Sequence, residues 1–415
     1  MEHEQMDFET QILLGGCHYG AADAGEILAT VERIPSGDFE KWYQEWFAIG
    51  ERIQRIAEQS ASSGNSVSAR KAYLCAATYF SASAIFIDGT KNPSRGVFAW
   101  KRHLTCWELF CSYMNPPLEK VSIPYEGILM PGYFFRPEKA GGPWATIIFN
   151  NGSDGPTSGM WTCGVAAALE RGYAALVFDG PGQNSMLWLQ NIPFRHDWEK
   201  VITPLVDFLH KREDVDPHRI ALSGISQGGY WVLRALAFEH RIAAGIADPG
   251  VMDVSVAFFC ELPQEMRDLL DDRKEKEFNE AMDEGLRYAG DEARQKIQWR
   301  MKPYMTKSFY HQFKMVQQYN VRDVIKQIQC PMFIADPDDE QFWPGQSKEV
   351  YEALVCPKTI VRFTAGEGAN WHCEPKARGL YDQRMFDWLV TVLPKCCLPV
   401  NPNTPKPPEG PALDI

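Results

Sequence analysis

Residues 220–238 read I-A-L-S-G-I-S-Q-G-G-Y-W-V-L-R-A-L-A-F, and this stretch decides the fold. An apolar run, Ile220-Ala221-Leu222, breaks at Ser223-Gly224-Ile225-Ser226-Gln227-Gly228-Gly229 and gives way to Trp231, Val232, Leu233 and Leu236 at helical spacing. The order is strand, tight turn, helix, with Ser226 at the tip. Gly224 and Gly228 leave room for strand and helix to approach each other around a strained serine. The turn lifts the Ser226 hydroxyl above a sheet edge. The Gln227 N–H, at the helix start, can face a developing oxyanion. Without its flanks, G-x-S-x-G would be a glycine-rich turn and no more.

Outward from this turn, strand and helix signals alternate. Upstream, 145–149 reads as a buried strand, 162–171 as a helix, 174–178 as a strand closed by Asp179-Gly180-Pro181-Gly182-Gln183, and 198–211 as a helix. Downstream, the strand 242–247 stops at Asp248-Pro249-Gly250. The strand 332–335, helix 346–354, strand 359–363 and helix 375–392 follow later. Such alternation implies an α/β fold with a mostly parallel, doubly wound sheet. Residues 121–124 and 128–135 read as two further strands joined by Tyr125-Glu126-Gly127.

Two stretches lack the alternation. Residues 1–118 read as a helical domain: one helix after Pro35-Ser36-Gly37 carries Tyr43, Trp46, Phe47 and Ile53, and others span 66–86 and 95–114. Its aromatics pack on a larger body and could also roof a pocket. Residues 251–329 read as an inserted helical cap, with helices over 261–284 and 293–319. A cap there would lie over the strand C-termini, where ligands of open α/β sheets sit. The expected division is therefore 1–118 helical domain, 119–250 core, 251–329 cap, 330–394 core, and 395–415 a proline-rich tail without fixed structure.

The 415 residues carry a net charge of −12 and no block of Lys and Arg, which argues against nucleic acid as a partner. MEHEQMDFET is acidic and polar, unlike a secretory leader. The longest apolar stretch, 72–87, contains Thr78, Ser81 and Ser83 and is too short to span a bilayer, so no membrane partner is expected. Eleven cysteines without C-x-x-C pairs fit a reduced, cytoplasmic chain. The nine histidines are dispersed, so no metal is expected.

A serine hydroxyl needs a base, itself oriented by an acid. Of the later histidines, His311 lies within the inserted helices. His372 ends the glycine-rich loop Ala365-Gly366-Glu367-Gly368-Ala369-Asn370-Trp371-His372 after the last strand, where it can serve as the base or cap the next helix. The acid should follow the strand 332–335, in a loop that offers Asp336, Asp338, Asp339 and Glu340. For a second oxyanion donor, Phe149-Asn150-Asn151-Gly152-Ser153-Asp154-Gly155 follows a buried strand, and the Ser153 amide is the one beside that of Gln227. Asp154 reads as a turn residue. Asp248 faces the same edge and either contacts substrate or caps the first cap helix.

With these residues placed, the chain resembles the α/β-hydrolases that carry an N-terminal helical domain, among them fungal pigment-pathway hydrolases that shorten polyketides and 2,6-dihydroxypseudooxynicotine hydrolase. The motifs that carry the resemblance are G-I-S-Q-G-G, D-P-D-D-E-Q-F-W-P-G-Q and G-A-N-W-H-C-E-P. It implies the α/β-hydrolase fold and the chain order Ser, acid, His. Many α/β-hydrolases read C-P-x-L-x-x-H-G-x-x-D-x-x-x-P around the acid. Laid on Cys330-Pro331, that pattern puts the acid at Glu340 and the last proline at Pro344. Asp336 and Pro337 depart from it, which keeps Asp338 and Asp339 open.

By resemblance, Ser226, Glu340 and His372 take the triad roles in a cofactor-independent, often dimeric enzyme. Its small-molecule substrate would be a polyketide-like or aromatic secondary metabolite, cleaved at a C–C bond next to a ketone or at an ester. Acyl transfer or cyclisation by the same triad, and a catalytically silent binding module, are the alternatives.

Overall fold

The computed structural model describes residues 3–138, 141–260 and 262–393, so the expected tail lies outside the described residues. The chain opens with five helices, α1 (Glu4–Gly16), α2 (Ala24–Val31), α3 (Phe39–Ser62), α4 (Ser66–Ala84) and α5 (Arg95–Ser112). α3 illustrates why they form. Asp38 caps it by accepting from the Lys41 N–H at 2.8 Å, and Phe39, Trp42, Trp46, Ile49, Ile53 and Ala57 repeat at helical spacing on its buried face. Each such fully buried large side chain contributes about 1.5–3 kcal/mol.

The core follows as β1 (Glu119–Tyr125), β2 (Ile128–Phe135), β3 (Trp144–Asn150), α6 (Ala166–Glu170), β4 (Ala174–Phe178), α7 (Asn184–Trp188), α8 (Glu199–His210), β5 (Val215–Ile225), α9 (Gly228–Leu236) and β6 (Ala244–Asp248). The cap helices are α10 (Val256–Phe259), α11 (Gln264–Asp271), α12 (Glu275–Tyr288), α13 (Gly290–Met301) and α14 (Phe309–Val316). The chain then returns with β7 (Met332–Pro337), α15 (Gln346–Ala353), β8 (Lys358–Phe363) and α16 (Arg378–Val392).

The strands form one eight-stranded sheet in the order β1-β2-β4-β3-β5-β6-β7-β8. β1, β2 and β4 pair antiparallel, and the run from β4 to β8 is parallel. Strand alternation divides the core. Ala145, Ile147, Phe149, Ala175 and Val177 face one side, where the N-terminal helices join α6 and α16. Ile148, Leu176, Phe178, Ile220 and Leu222 face the other, with α8 and α9. The N-terminal helices are thus one of the two layers that cover the sheet.

Two expectations change here. The helices expected over 261–284 and 293–319 are each broken, at Arg273 and Met305, which have φ of 60° and 52°. These left-handed residues end α11 and the 3₁₀ turn Lys302–Tyr304, letting Leu262, Leu270, Phe278 and Phe313 fold into a small core of their own. The acidic N-terminus is also helical: Met6, Thr10 and Leu13 give α1 a narrow buried edge. Among the described residues, no helix is long and apolar enough to cross a membrane, and every cysteine is free.

Candidate active site

β5 ends at Ile225 and α9 begins at Gly228, leaving Ser226 at the turn with φ 59°. A non-glycine residue rarely adopts this conformation, and it persists where its surroundings hold it. Here the Ser226 N–H donates to the Asp248 carbonyl at 2.6 Å, and its carbonyl accepts from the Gly229 N–H at 2.8 Å. A Cβ on Gly224 would stand 2.3 Å from the Gly228 carbonyl oxygen, so strand and helix are as close as the sequence implied.

His372, 5% exposed, stands between two groups. Its Nε2 lies 2.9 Å from the Ser226 Oγ. Its Nδ1 lies 3.0 and 2.8 Å from the two Glu340 oxygens. Rings enclose the imidazole: Phe342 at 4.6 Å, Trp343 at 5.7 Å and Phe8 at 6.4 Å between centroids. Burial works to raise the Glu340 carboxyl. The His372 charge and hydrogen bond, with the N–H groups of Phe342 and Trp343, outweigh it and hold the carboxyl below its ordinary value.

The neighbouring carboxylates are engaged elsewhere. Asp336 is 3.8 Å from Lys348, Asp338 accepts from Arg362 at 3.0 Å, and Asp339 accepts from Asn370. Of the four acids in the loop, only Glu340 reaches the imidazole.

The loop after β3 runs beside the serine. A Cβ on Gly152 would be 2.9 Å from the Ser226 Cβ. The Gly152 N–H is committed to Asn151 Oδ1 at 2.7 Å. Among the described residues, neither the Ser153 nor the Gln227 backbone N–H donates to a protein acceptor. Sequence reasoning missed what braces this loop. Gln183 donates to the Asn151 and Gly152 carbonyls at 2.9 and 2.7 Å, and Trp198 donates to Asn150 Oδ1 at 2.7 Å. The signal in the sequence is the D-G-P-G-Q turn closing β4, whose Gln183 reaches back to the loop after β3.

Asp248 corrects an expectation. Its side chain is 1% exposed and accepts from Arg378 at 2.8 Å, so it reaches neither substrate nor the cap. Arg378 also donates to the Cys373 carbonyl at 2.9 Å, tying the end of β6 to the turn that follows His372. Glu374 completes this buried group at 0% exposed. Burial, then the Asp248 charge, push its carboxyl well above the ordinary 4.5.

A raised folded value means that stability from this group is fully present below 4.5 and is lost as pH rises toward the folded value. Glu374→Gln cannot ionise, so its stability relative to wild type should grow as pH climbs. Urea midpoints at acid and alkaline pH check this, and equal differences at both would contradict it.

Among the described residues, no group of three or more His, Cys, Asp or Glu side chains could hold a metal ion.

Known proteins fall in line with this architecture. The family model described as "Alpha/beta hydrolase family" matches residues 128–386. The chain is 29% identical over 407 residues to the hydrolase acrC of Aspergillus aculeatus, covering 92% of this chain and 95% of that one. It is 30% identical over 371 residues to the alpha/beta hydrolase gkaG of Penicillium citrinum, covering 84% and 83%. It is 34% identical over 256 residues to the 20-hydroxy-prefusarin hydrolase FUS2 of Gibberella moniliformis, covering 60% of this chain and 61% of that relative. Among solved structures, 2,6-dihydroxy-pseudo-oxynicotine hydrolase shares the fold, with a TM-score of 0.71, 21% identity, and coverage of 91% of this chain and 95% of that one. The elbow, the sheet order and the family match agree, and the chain belongs to the alpha/beta hydrolase family.

Proposed function

We propose that this hydrolase cleaves a C–C bond next to a ketone in a β-dicarbonyl compound, or an ester, in a polyketide-like or aromatic metabolite, with Ser226 as nucleophile, His372 as base and Glu340 as the orienting acid. The observation that carries this reading is the unbroken line of contacts from Glu340 through His372 to Ser226. A relative named as a 20-hydroxy-prefusarin hydrolase supports the substrate class.

In this scheme His372 Nε2 takes the Ser226 proton as Oγ adds to the carbonyl carbon. The N–H groups of Ser153 and Gln227 hold the tetrahedral oxyanion. Collapse breaks the C–C bond and expels an enolate, which the second carbonyl stabilises and the imidazolium reprotonates. Water, deprotonated by His372, then releases the acyl group as a carboxylic acid. Residues 1–118 and 251–329 act in this reading as two covers over the rim.

Turnover of a panel of β-diketones and aryl esters in ¹⁸O-water tests the reading. One ¹⁸O is expected in the carboxylic product. Product without ¹⁸O would favour cyclisation or acyl transfer, and no product from a folded enzyme that leaves Ser226 unlabelled by a fluorophosphonate would favour a silent binding module.

A further inference from the structure

The N-terminal helix brings to this site a titratable group for which the scheme above has no task. Phe8 on α1 lies 6.4 Å from the His372 ring and 6.2 Å from both Phe342 and Trp371, centroid to centroid. α1 therefore packs beside the base. Glu9, one step and about 100° further round the helix, is within electrostatic reach of Asp154. Asp154 lies two residues beyond Gly152, which packs on Ser226, and it accepts from Trp299 Nε1 of α13 at 3.1 Å. Glu9 thus stands on the helix that borders the base, across from the loop that borders the nucleophile.

Among the described residues, no hydrogen bond or ion pair engages the Glu9 carboxyl, while Thr10 and Gln11 beside it each donate within the helix, to the Met6 carbonyl at 2.7 Å and to Asp7 at 2.6 Å. Met6 and Thr10 are buried, yet Glu9 keeps accessible surface. An accessible carboxyl without a protein partner is free to exchange its water for a ligand atom. We propose that Glu9 is a substrate-contacting residue of this site, donating a hydrogen bond to a substrate oxygen other than the one on the attacked carbon, which in a 1,3-dicarbonyl is the second carbonyl oxygen.

The proposal rests on the reading of Ser226, His372 and Glu340 given above and narrows its substrate class. Desolvation, then the charge of Asp154, push the Glu9 carboxyl up to about 8, so it is a donor at neutral pH. When the C–C bond breaks, negative charge moves onto the second carbonyl oxygen, and a hydrogen bond aimed there strengthens as the charge develops. An ester without a second oxygen acceptor on the leaving side would gain nothing from it. A cationic leaving side would meet an O–H group that is itself a donor. The rings of Phe8 and Trp371, inclined by 26° to each other, add an apolar wall suited to a flat conjugated chain.

The pH dependence separates this role from packing. Other charged and titratable groups lie on the elements around Glu9, among them Glu4 and Asp7 on α1, Asp154 after β3, Glu292 and Arg300 on α13, Glu340 after β7, and His372 and Lys376 after β8. The comparison is therefore made between variants of one residue in the full-length enzyme. With a β-diketone, wild-type kcat/KM is expected to decline as pH rises through about 8, as the donor is lost. Glu9→Gln keeps an N–H donor that cannot titrate, so its profile should lack that decline. Glu9→Ala should lower kcat/KM at pH 7 by about 10- to 100-fold, with a much smaller loss toward an aryl ester.

A fluorophosphonate has no second carbonyl and should still label Ser226 in Glu9→Ala. A Glu9→Gln profile that falls together with the wild type's, or a Glu9→Ala enzyme within about twofold of wild type on the diketone, overturns the proposal while leaving the triad reading intact. Failure of wild type to label at Ser226 overturns both.

Discussion

Ser226→Ala is expected to lower kcat by about 10⁴- to 10⁶-fold without changing the unfolding midpoint. The expected loss is large because in the proposed scheme the hydroxyl is the atom that forms the new bond, and among the described residues no other hydroxyl or thiol hydrogen-bonds to His372. Cys373, one residue from the base, is buried and directs its Sγ to the Asp248 carbonyl at 3.4 Å. Stability should hold because what fixes the turn is backbone: the bonds from the Ser226 N–H to Asp248 and from the Gly229 N–H to Ser226 survive the substitution. Alanine at φ 59° is strained much as serine is. The measurement is single-turnover kinetics on the best β-diketone, with urea unfolding alongside. Residual turnover within about tenfold of wild type would exclude Ser226 as nucleophile.

The second large effect is expected at Glu340. Glu340→Gln should lower kcat by about 10⁴-fold, nearly as much as removing the nucleophile. The carboxylate accepts the Nδ1–H of His372, which leaves Nε2 as the lone-pair atom facing Ser226. A glutamine that turns its amide toward Nδ1 donates instead, and the ring must then carry its proton on Nε2. In that tautomer the imidazole cannot take a proton from Ser226. The Phe342 and Trp343 N–H groups that hold Glu340 at 2.9 and 3.1 Å would keep the glutamine in place, so the loss reflects the tautomer rather than a collapsed loop.

Glu340 also has a thermodynamic signature. Its folded value lies below the ordinary one, so its contribution to stability is present above the ordinary 4.5 and is lost as pH falls through the folded value. Glu340→Gln should remove that acid-side slope. A Glu340→Gln enzyme with wild-type kcat would return the acid's role to another residue of the loop.

Much of this site could be read from the chain because its logic is local. The turn at Ser226 needs small residues at Gly224 and Gly228, and both stand in the sequence. Glu340 comes first among the candidate acids when the α/β-hydrolase pattern is laid on Cys330-Pro331. Asp336 and Pro337 left Asp338 and Asp339 open, and the spatial arrangement separated them: Asp338 turns to Arg362 and Asp339 to Asn370.

What escaped the sequence depends on distant contacts. α1 carries only a thin apolar edge, and its position is set by approaches such as that of Gly15 to the Pro375 carbonyl, where a Cβ would come within 1.7 Å. No local pattern says that residue 8 meets the ring of residue 372. Asp248 was misread because a carboxylate at a strand end can face the cleft or the interior, and its partner Arg378 is 130 residues away. The breaks at Arg273 and Met305 escaped for a different reason: each needs a left-handed backbone that its residue type does not signal.

The central claim is that His372 makes the Ser226 hydroxyl reactive. Peptide mass spectrometry after brief exposure of the full chain to a fluorophosphonate tests it most directly. A single adduct on Ser226 is expected in wild type, none in Ser226→Ala, and labelling in His372→Ala slowed by at least about 10³-fold. A folded wild-type protein that stays unlabelled, or a His372→Ala variant that labels at the wild-type rate, would contradict it.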